Sequence, residues 1–164
     1  MKYKCALFVV NDVRESRKFY EEILDQVVKY DFGENITFEG DFAIQEKISF
    51  SNMASVDVDS MVRKSNNTEI YFEADDIDHY VNRIVESTYE IEFIHKIVEH
   101  PWGQRVIRFY DLDDHIVEIG ESMERVIFRF LDKGYSIEET AKTSQHPESF
   151  VRECVERRST YGEE

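Results

Sequence analysis

The sequence predicts an α+β fold: two βαβββ modules forming a curved mixed sheet with a concave pocket, then C-terminal helices. Three observations predict it. A strand–helix–strand–strand–strand pattern runs twice along the chain. The strand-to-helix junction Asn11-Asp12-Val13 is echoed by Asp75-Asp76-Ile77. After Gly120 the alternation of strands gives way to helical spacing and helix caps.

The first module begins with Lys4 to Val10, a compact apolar run that reads as a strand. Asn11 or Asp12 caps the next segment, VRESRKFYEEIL, where Val13, Phe19, Tyr20, Ile23 and Leu24 fall on one helical face. Three strand-like pieces follow, QVVKYDF, NITFEG and DFAIQEKISF, with turns at Gly33-Glu34-Asn35 and Gly40-Asp41. The polar stretch SNMASVDVDSMVRKSNN reads as the link between modules. The second module then repeats the order: strand TEIYFEA, helix IDHYVNRIVES, and strands EIEFIHKIVEH, GQRVIRFYD and HIVEIG. The last two strands are joined by the tight turn Asp111 to Asp114. Neither four-stranded sheet covers both of its faces alone. Set side by side, they would leave a concave inner face, the usual place for a ligand.

The extension starts with a helix in ESMERVIFRFLDKG, stopped by Gly134. Ser136 and Glu139 form a capping box for a short second helix to about Thr143. His146-Pro147 opens a third helix to about Arg158, and the chain ends in a polar tail. The expected division is a domain at 1–121, with modules at about 1–62 and 66–121, and a helical extension at 122–164.

The chain has 164 residues, 41% hydrophobic and 13% aromatic, enough for a packed core. Its formal net charge is −15, which opposes binding to nucleic acid or anionic membrane. The two cysteines, Cys5 and Cys154, form neither a CxxC nor a disulfide framework. A reducing, cytoplasmic setting is therefore expected. The first residues, MKYKCALFVVND, lack the long apolar core and cleavage site of a signal peptide. No stretch approaches the roughly 18 apolar residues of a membrane span.

FVVNDVRESRKFYEEIL resembles the opening of the vicinal oxygen chelate superfamily, which includes glyoxalase I, bleomycin-resistance proteins, fosfomycin-resistance enzymes and extradiol dioxygenases. PWGQRVIRFYDLDDHIVEIGE resembles its closing hairpin, with Leu112 in place of the usual proline and Asp114 in place of the usual glycine. The resemblance spans residues 3–121 and is specific for fold rather than chemistry. It implies a homodimer. It also implies four positions that in metal-using members converge on a divalent ion: Cys5, Gln45, Glu69 and Glu118.

That donor set is poor for Ni, Zn, Mn or Fe, because none of the four is histidine. His79 falls on a helix, His95 and His100 on or beside a strand, His115 in a turn and His146 in the extension, with no HxH or HxxxH spacing. No cofactor is the expectation, and a divalent metal the alternative. The structural reading of Glu69 and Glu118 is of buried carboxylates held by partners. Arg108 lies across the hairpin from Glu118 and would serve. In the functional reading, Glu118 or Glu69 is a general base in a pocket with Arg108 and Tyr71. Trp102 and Tyr110 complete the expected ligand contacts. Trp102, in HPWG, reads either as an aromatic wall at the pocket mouth or as packing under the sheet edge. Cys5 has no adjacent histidine to activate it and reads as inert.

The function expected is a metal-free small-molecule-binding protein of the glyoxalase and bleomycin-resistance type, its ligand in the concave groove. A metal-dependent lyase or isomerase, with Glu118 and Glu69 as ligands or base, is the alternative. A lesser one is a DNA-binding regulator, since the last two helices read as a helix-turn-helix. The acidic start of the second, Pro147-Glu148-Ser149, argues against it.

Overall fold

The structure is a computed structural model that describes residues 1–161. It contains two four-stranded mixed sheets, each with its own helices, and three C-terminal helices. The first βαβββ module is β1 (Ala6–Val10), α1 (Val13–Leu24), β2 (Val28–Asp31), β3 (Asn35–Phe38) and β4 (Phe42–Glu46). A further helix, α2 (Lys47–Ala54), follows it. The second module is β5 (Glu69–Ala74), α3 (Ile77–Glu86), β6 (Phe93–Glu99), β7 (Arg105–Tyr110) and β8 (Ile116–Glu121). The extension holds α4 (Met123–Asp132), α5 (Ile137–Ser144) and α6 (Glu148–Tyr161). Residues 162–164, the end of the expected polar tail, lie outside the described residues.

The two sheets share one topology. Their strand orders are β1-β4-β3-β2 and β5-β8-β7-β6, so in each the first strand pairs with the last. In the first sheet β1 runs parallel to β4, with Ala6 opposite Phe42 and Val10 opposite Glu46. Strand β3 runs antiparallel to β4 and sets Asn35 opposite Gln45.

Local chemistry explains the element ends. Asp12 caps α1 by accepting the Arg14 and Glu15 N–H groups at 2.9 and 3.2 Å. Helix α1 buries Val13, Phe19, Tyr20, Ile23 and Leu24 and stops at Asp25 in the left-handed region. Ser136 and Glu139 form the reciprocal capping box of α5.

Two sequence expectations need correction. The strand expected to run through Phe50 ends at Glu46. The Glu46 carboxylate accepts the Ser49 N–H at 2.7 Å and caps α2, so the backbone turns helical where the alternation of apolar residues continued. The link between modules is thus part helix, with a further 3-10 turn at Val58–Ser60. Strand β1 begins at Ala6, which leaves Cys5 one residue before it.

By compactness the chain divides into two units. One comprises Met1–Ile70, Asn82–Glu92 and Phe109–Val117. Its core holds Phe19, Tyr20, Phe38 and Phe42, with the last two rings stacked at 4.6 Å. The other comprises Tyr71–Val81, Phe93–Arg108 and Glu118–Glu164. In it the C-terminal helices pack around Ile127, Ala141, Val151 and Cys154. No helix among the described residues is long and apolar enough to cross a membrane.

Candidate functional site

The four positions implied by the resemblance are engaged unequally. Gln45, in mid-sheet on β4, is 3% exposed, and both ends of its amide are taken. Its Oε1 accepts from Asn35 Nδ2 at 2.7 Å and its Nε2 donates to Ser49 Oγ at 2.9 Å. Glu118, on β8, is 6% exposed and ion-paired with Arg108 on β7, and its Oε2 has no hydrogen-bond partner among the described residues. Arg108 also reaches His95 Nε2 at 3.3 Å. Cys5 is a half-buried free thiol. Glu69 is exposed at the start of β5.

Neither Gln45 nor Glu118 offers a divalent ion a donor group free of protein partners. A metal at Gln45 would share Oε1 with the Asn35 amide, and one at Glu118 would meet the Arg108 guanidinium. Among the described residues, no three His, Cys, Asp or Glu side chains gather as a metal site requires.

The expected ligand contacts are also partnered. Tyr71 donates its hydroxyl to Glu73 at 2.9 Å and accepts from Gln104 Nε2 at 2.9 Å. Burial, with help from Glu73, pushes its pKa up to about 12. Trp102 stacks on His100 at 4.4 Å and donates its indole N–H to Gln104 Oε1 at 3.1 Å. Tyr110, in the first unit, donates to Asn66 Oδ1 at 2.7 Å and lies beneath the Lys64 ammonium at 4.7 Å.

The first unit contains a cavity of about 500 Å³. Leu7, Phe8 and Val9 from β1, Phe50 from α2, and Met61 and Val62 form its apolar wall. Its polar lining comes from Asn11, Lys47, Arg63, Lys64, Glu69 and the β7–β8 turn, residues Asp113 to His115.

That turn is built around one buried carboxylate. Asp111 Oδ1 accepts the backbone N–H groups of Asp113 and His115 at 2.9 and 2.8 Å. Its Oδ2 accepts the Tyr20 hydroxyl at 2.7 Å and faces His115 Nδ1 at 3.0 Å. The Asp111 side chain is 1% exposed and that of His115 22%. Burial opposes charge on both groups. The Asp111–His115 contact outweighs it, holding the Asp111 pKa below and the His115 pKa above their ordinary values. Asp113 accepts Asn11 and Ser16. Asp114 adopts φ 68 where the resemblance expects glycine, and pairs with Arg63. In the sequence, His115 reads only as a turn residue. An Asp and a His four apart across a tight turn was the available signal.

Comparison with known proteins decides the family. Residues 3–124 match the glyoxalase-like domain. The chain belongs to the glyoxalase-like family. That family lies in the vicinal oxygen chelate superfamily, which agrees with the repeated βαβββ topology. Among solved structures, a protein of unknown function from Agrobacterium tumefaciens str. C58 is 34% identical. The match covers 74% of this chain and 94% of that one, with a TM-score of 0.64. A glyoxalase/bleomycin resistance protein/dioxygenase from Nocardioides is 20% identical over 74% of this chain and 83% of its own, with a TM-score of 0.56. The fosfomycin resistance protein FosX from Listeria monocytogenes, complexed with Mn(II) and sulfate, is 20% identical over 77% of this chain and 94% of its own, with a TM-score of 0.54. None of the curated proteins matches this sequence.

Proposed function

We propose that this glyoxalase-like protein binds a small molecule in the first unit's cavity without a metal. The observation that carries the reading is the state of Gln45 and Glu118. Gln45 has both ends of its amide engaged, by Asn35 and Ser49, and the Glu118 carboxylate is ion-paired with Arg108. Breaking either set to recruit a cation would leave a buried polar group unpaired. The cavity itself has what a ligand site needs: an apolar wall with a few polar groups set into it. Tyr71, Trp102 and Arg108, proposed as ligand contacts from the sequence, belong to the second unit and do not line that cavity, and each is occupied by a neighbour. A homodimer is likewise proposed from the family likeness.

The test is a small-molecule thermal-shift screen in the presence of EDTA. Ligands should stabilise the protein with the chelator present, and Leu7→Asp, at a 41% exposed wall position, should weaken them. Hits that need added metal, or that ignore Leu7→Asp, would overturn the reading. A second reading, a metal-dependent lyase or isomerase using Glu69 and Glu118, draws support from the manganese-bearing FosX relative.

A further inference from the structure

We propose that His115 selects the ligand of this cavity, donating from Nε2 to the carboxylate of a small acid with an apolar body, and that Lys47 supplies a second cation. The inference rests on the cavity reading above and adds the chemical class of the ligand.

Geometry comes first. Asp111 engages Nδ1, and Phe8 packs edge-on against the ring at 5.4 Å, so the imidazole is fixed on two sides. Asp111 is itself held by the Tyr20 hydroxyl and two backbone N–H groups. With Nδ1 directed at Asp111, Nε2 is the remaining ring nitrogen, and it has no hydrogen-bond partner among the described residues. A histidine fixed at one nitrogen and open at the other, on the wall of a cavity, is placed to meet a ligand.

Charge decides which ligand. The other ionisable groups of the lining cancel: Lys47, Arg63 and Lys64 against Glu69, Asp113 and Asp114. Asp113 serves Asn11 and Ser16, Asp114 serves Arg63, and Lys64 pairs with Glu92. Lys47 has no ion-pair partner among the described residues. The sign of the cavity therefore follows His115. When the ring is protonated, the lining is cationic inside a chain whose formal net charge is −15. The acids nearest the ring, Asp111 first and then Asp113 and Asp114, all favour its protonated form. An anion bound at Nε2 would favour it further, so acid binding and protonation reinforce one another. The apolar wall of Leu7, Phe8, Phe50 and Met61 suits the body of such a molecule.

The test uses phenylacetate and its uncharged isostere phenylacetamide as probes on the full chain. Binding is read from the His115 imidazole resonances by NMR. Phenylacetate should bind at least about tenfold more tightly near pH 6 than near pH 8.5, the size of one charge-assisted hydrogen bond. Phenylacetamide should bind more weakly and show no such dependence. In His115→Asn the amide nitrogen keeps the bond to Asp111 and Nε2 is lost. It should keep the wild-type circular-dichroism spectrum, lose about tenfold in phenylacetate affinity measured by calorimetry, and leave phenylacetamide unchanged. Equal, pH-independent binding of acid and amide would overturn the role of His115 while leaving the metal-free cavity standing. So would wild-type acid affinity in the variant. Binding of neither probe would overturn both. The acid–amide comparison in the wild type stands even where His115→Asn fails to fold.

Discussion

At the scale of single residues, the site turns on who holds each buried polar atom. Glu118 is the case the sequence exposes best. Alternation along β7 and β8 puts Arg108 across from it, and the structure pairs the two. Arg108→Met should destabilise the fold by about 3 kcal/mol in urea unfolding, because it strands a buried carboxylate. Gln45 was less legible. Its partner Asn35 comes from the register of β3 on β4, which the turn at Gly40-Asp41 suggests but does not fix. The His115–Asp111 pair was the least legible, because its geometry depends on Tyr20 from α1 and on Asp111 facing inward. Its pH linkage has a definite sign. The raised His115 pKa contributes stability that is complete below about pH 6.5 and lost as pH climbs through the folded value. The lowered Asp111 pKa contributes stability present above about pH 4 and lost as pH falls through its folded value. Wild-type stability should therefore decline from about pH 6.5 upward more steeply than that of His115→Asn. Parallel curves would show that the pair carries no linkage.

At the scale of elements, the caps were written in the sequence and the strand ends were not. Asp12 and the Ser136–Glu139 box work through short-range geometry, so spacing identifies the box and narrows the first cap to Asn11 or Asp12. The change from β4 to α2 depends on one carboxylate folding back onto Ser49, inside a run whose apolar spacing suits either state. The HPWG segment shows what a glycine is for. Gly103 has φ +87, and a β-carbon there would lie 2.3 Å from the Phe130 ring of α4. Gly103→Ala should cost about 2 kcal/mol or more in unfolding free energy, from backbone strain and overpacking together. A neutral effect would mean that α4 shifts freely.

At the scale of the molecule, the doubled βαβββ order was legible because one strand-and-helix pattern recurs, and each sheet pairs its first strand with its last. The extension's attachment was not, since it depends on a buried carboxylate serving two arginines. Glu121, 2% exposed at the end of β8, accepts from Arg105 on β7 at 3.2 Å and from Arg129 on α4 at 2.8 Å. Glu121→Gln should lower stability by about 2 kcal/mol and speed proteolysis of the C-terminal helices. Unchanged cleavage would show that α4 is held by apolar packing alone. The central claim is that this member of the glyoxalase-like family works without a metal at Cys5, Gln45, Glu69 and Glu118. Elemental mass spectrometry of the purified protein, after exposure to Ni, Zn, Mn, Co and Mg, tests it most directly. Far less than one equivalent of any of them is expected. About one equivalent, abolished by Glu118→Gln, would contradict it.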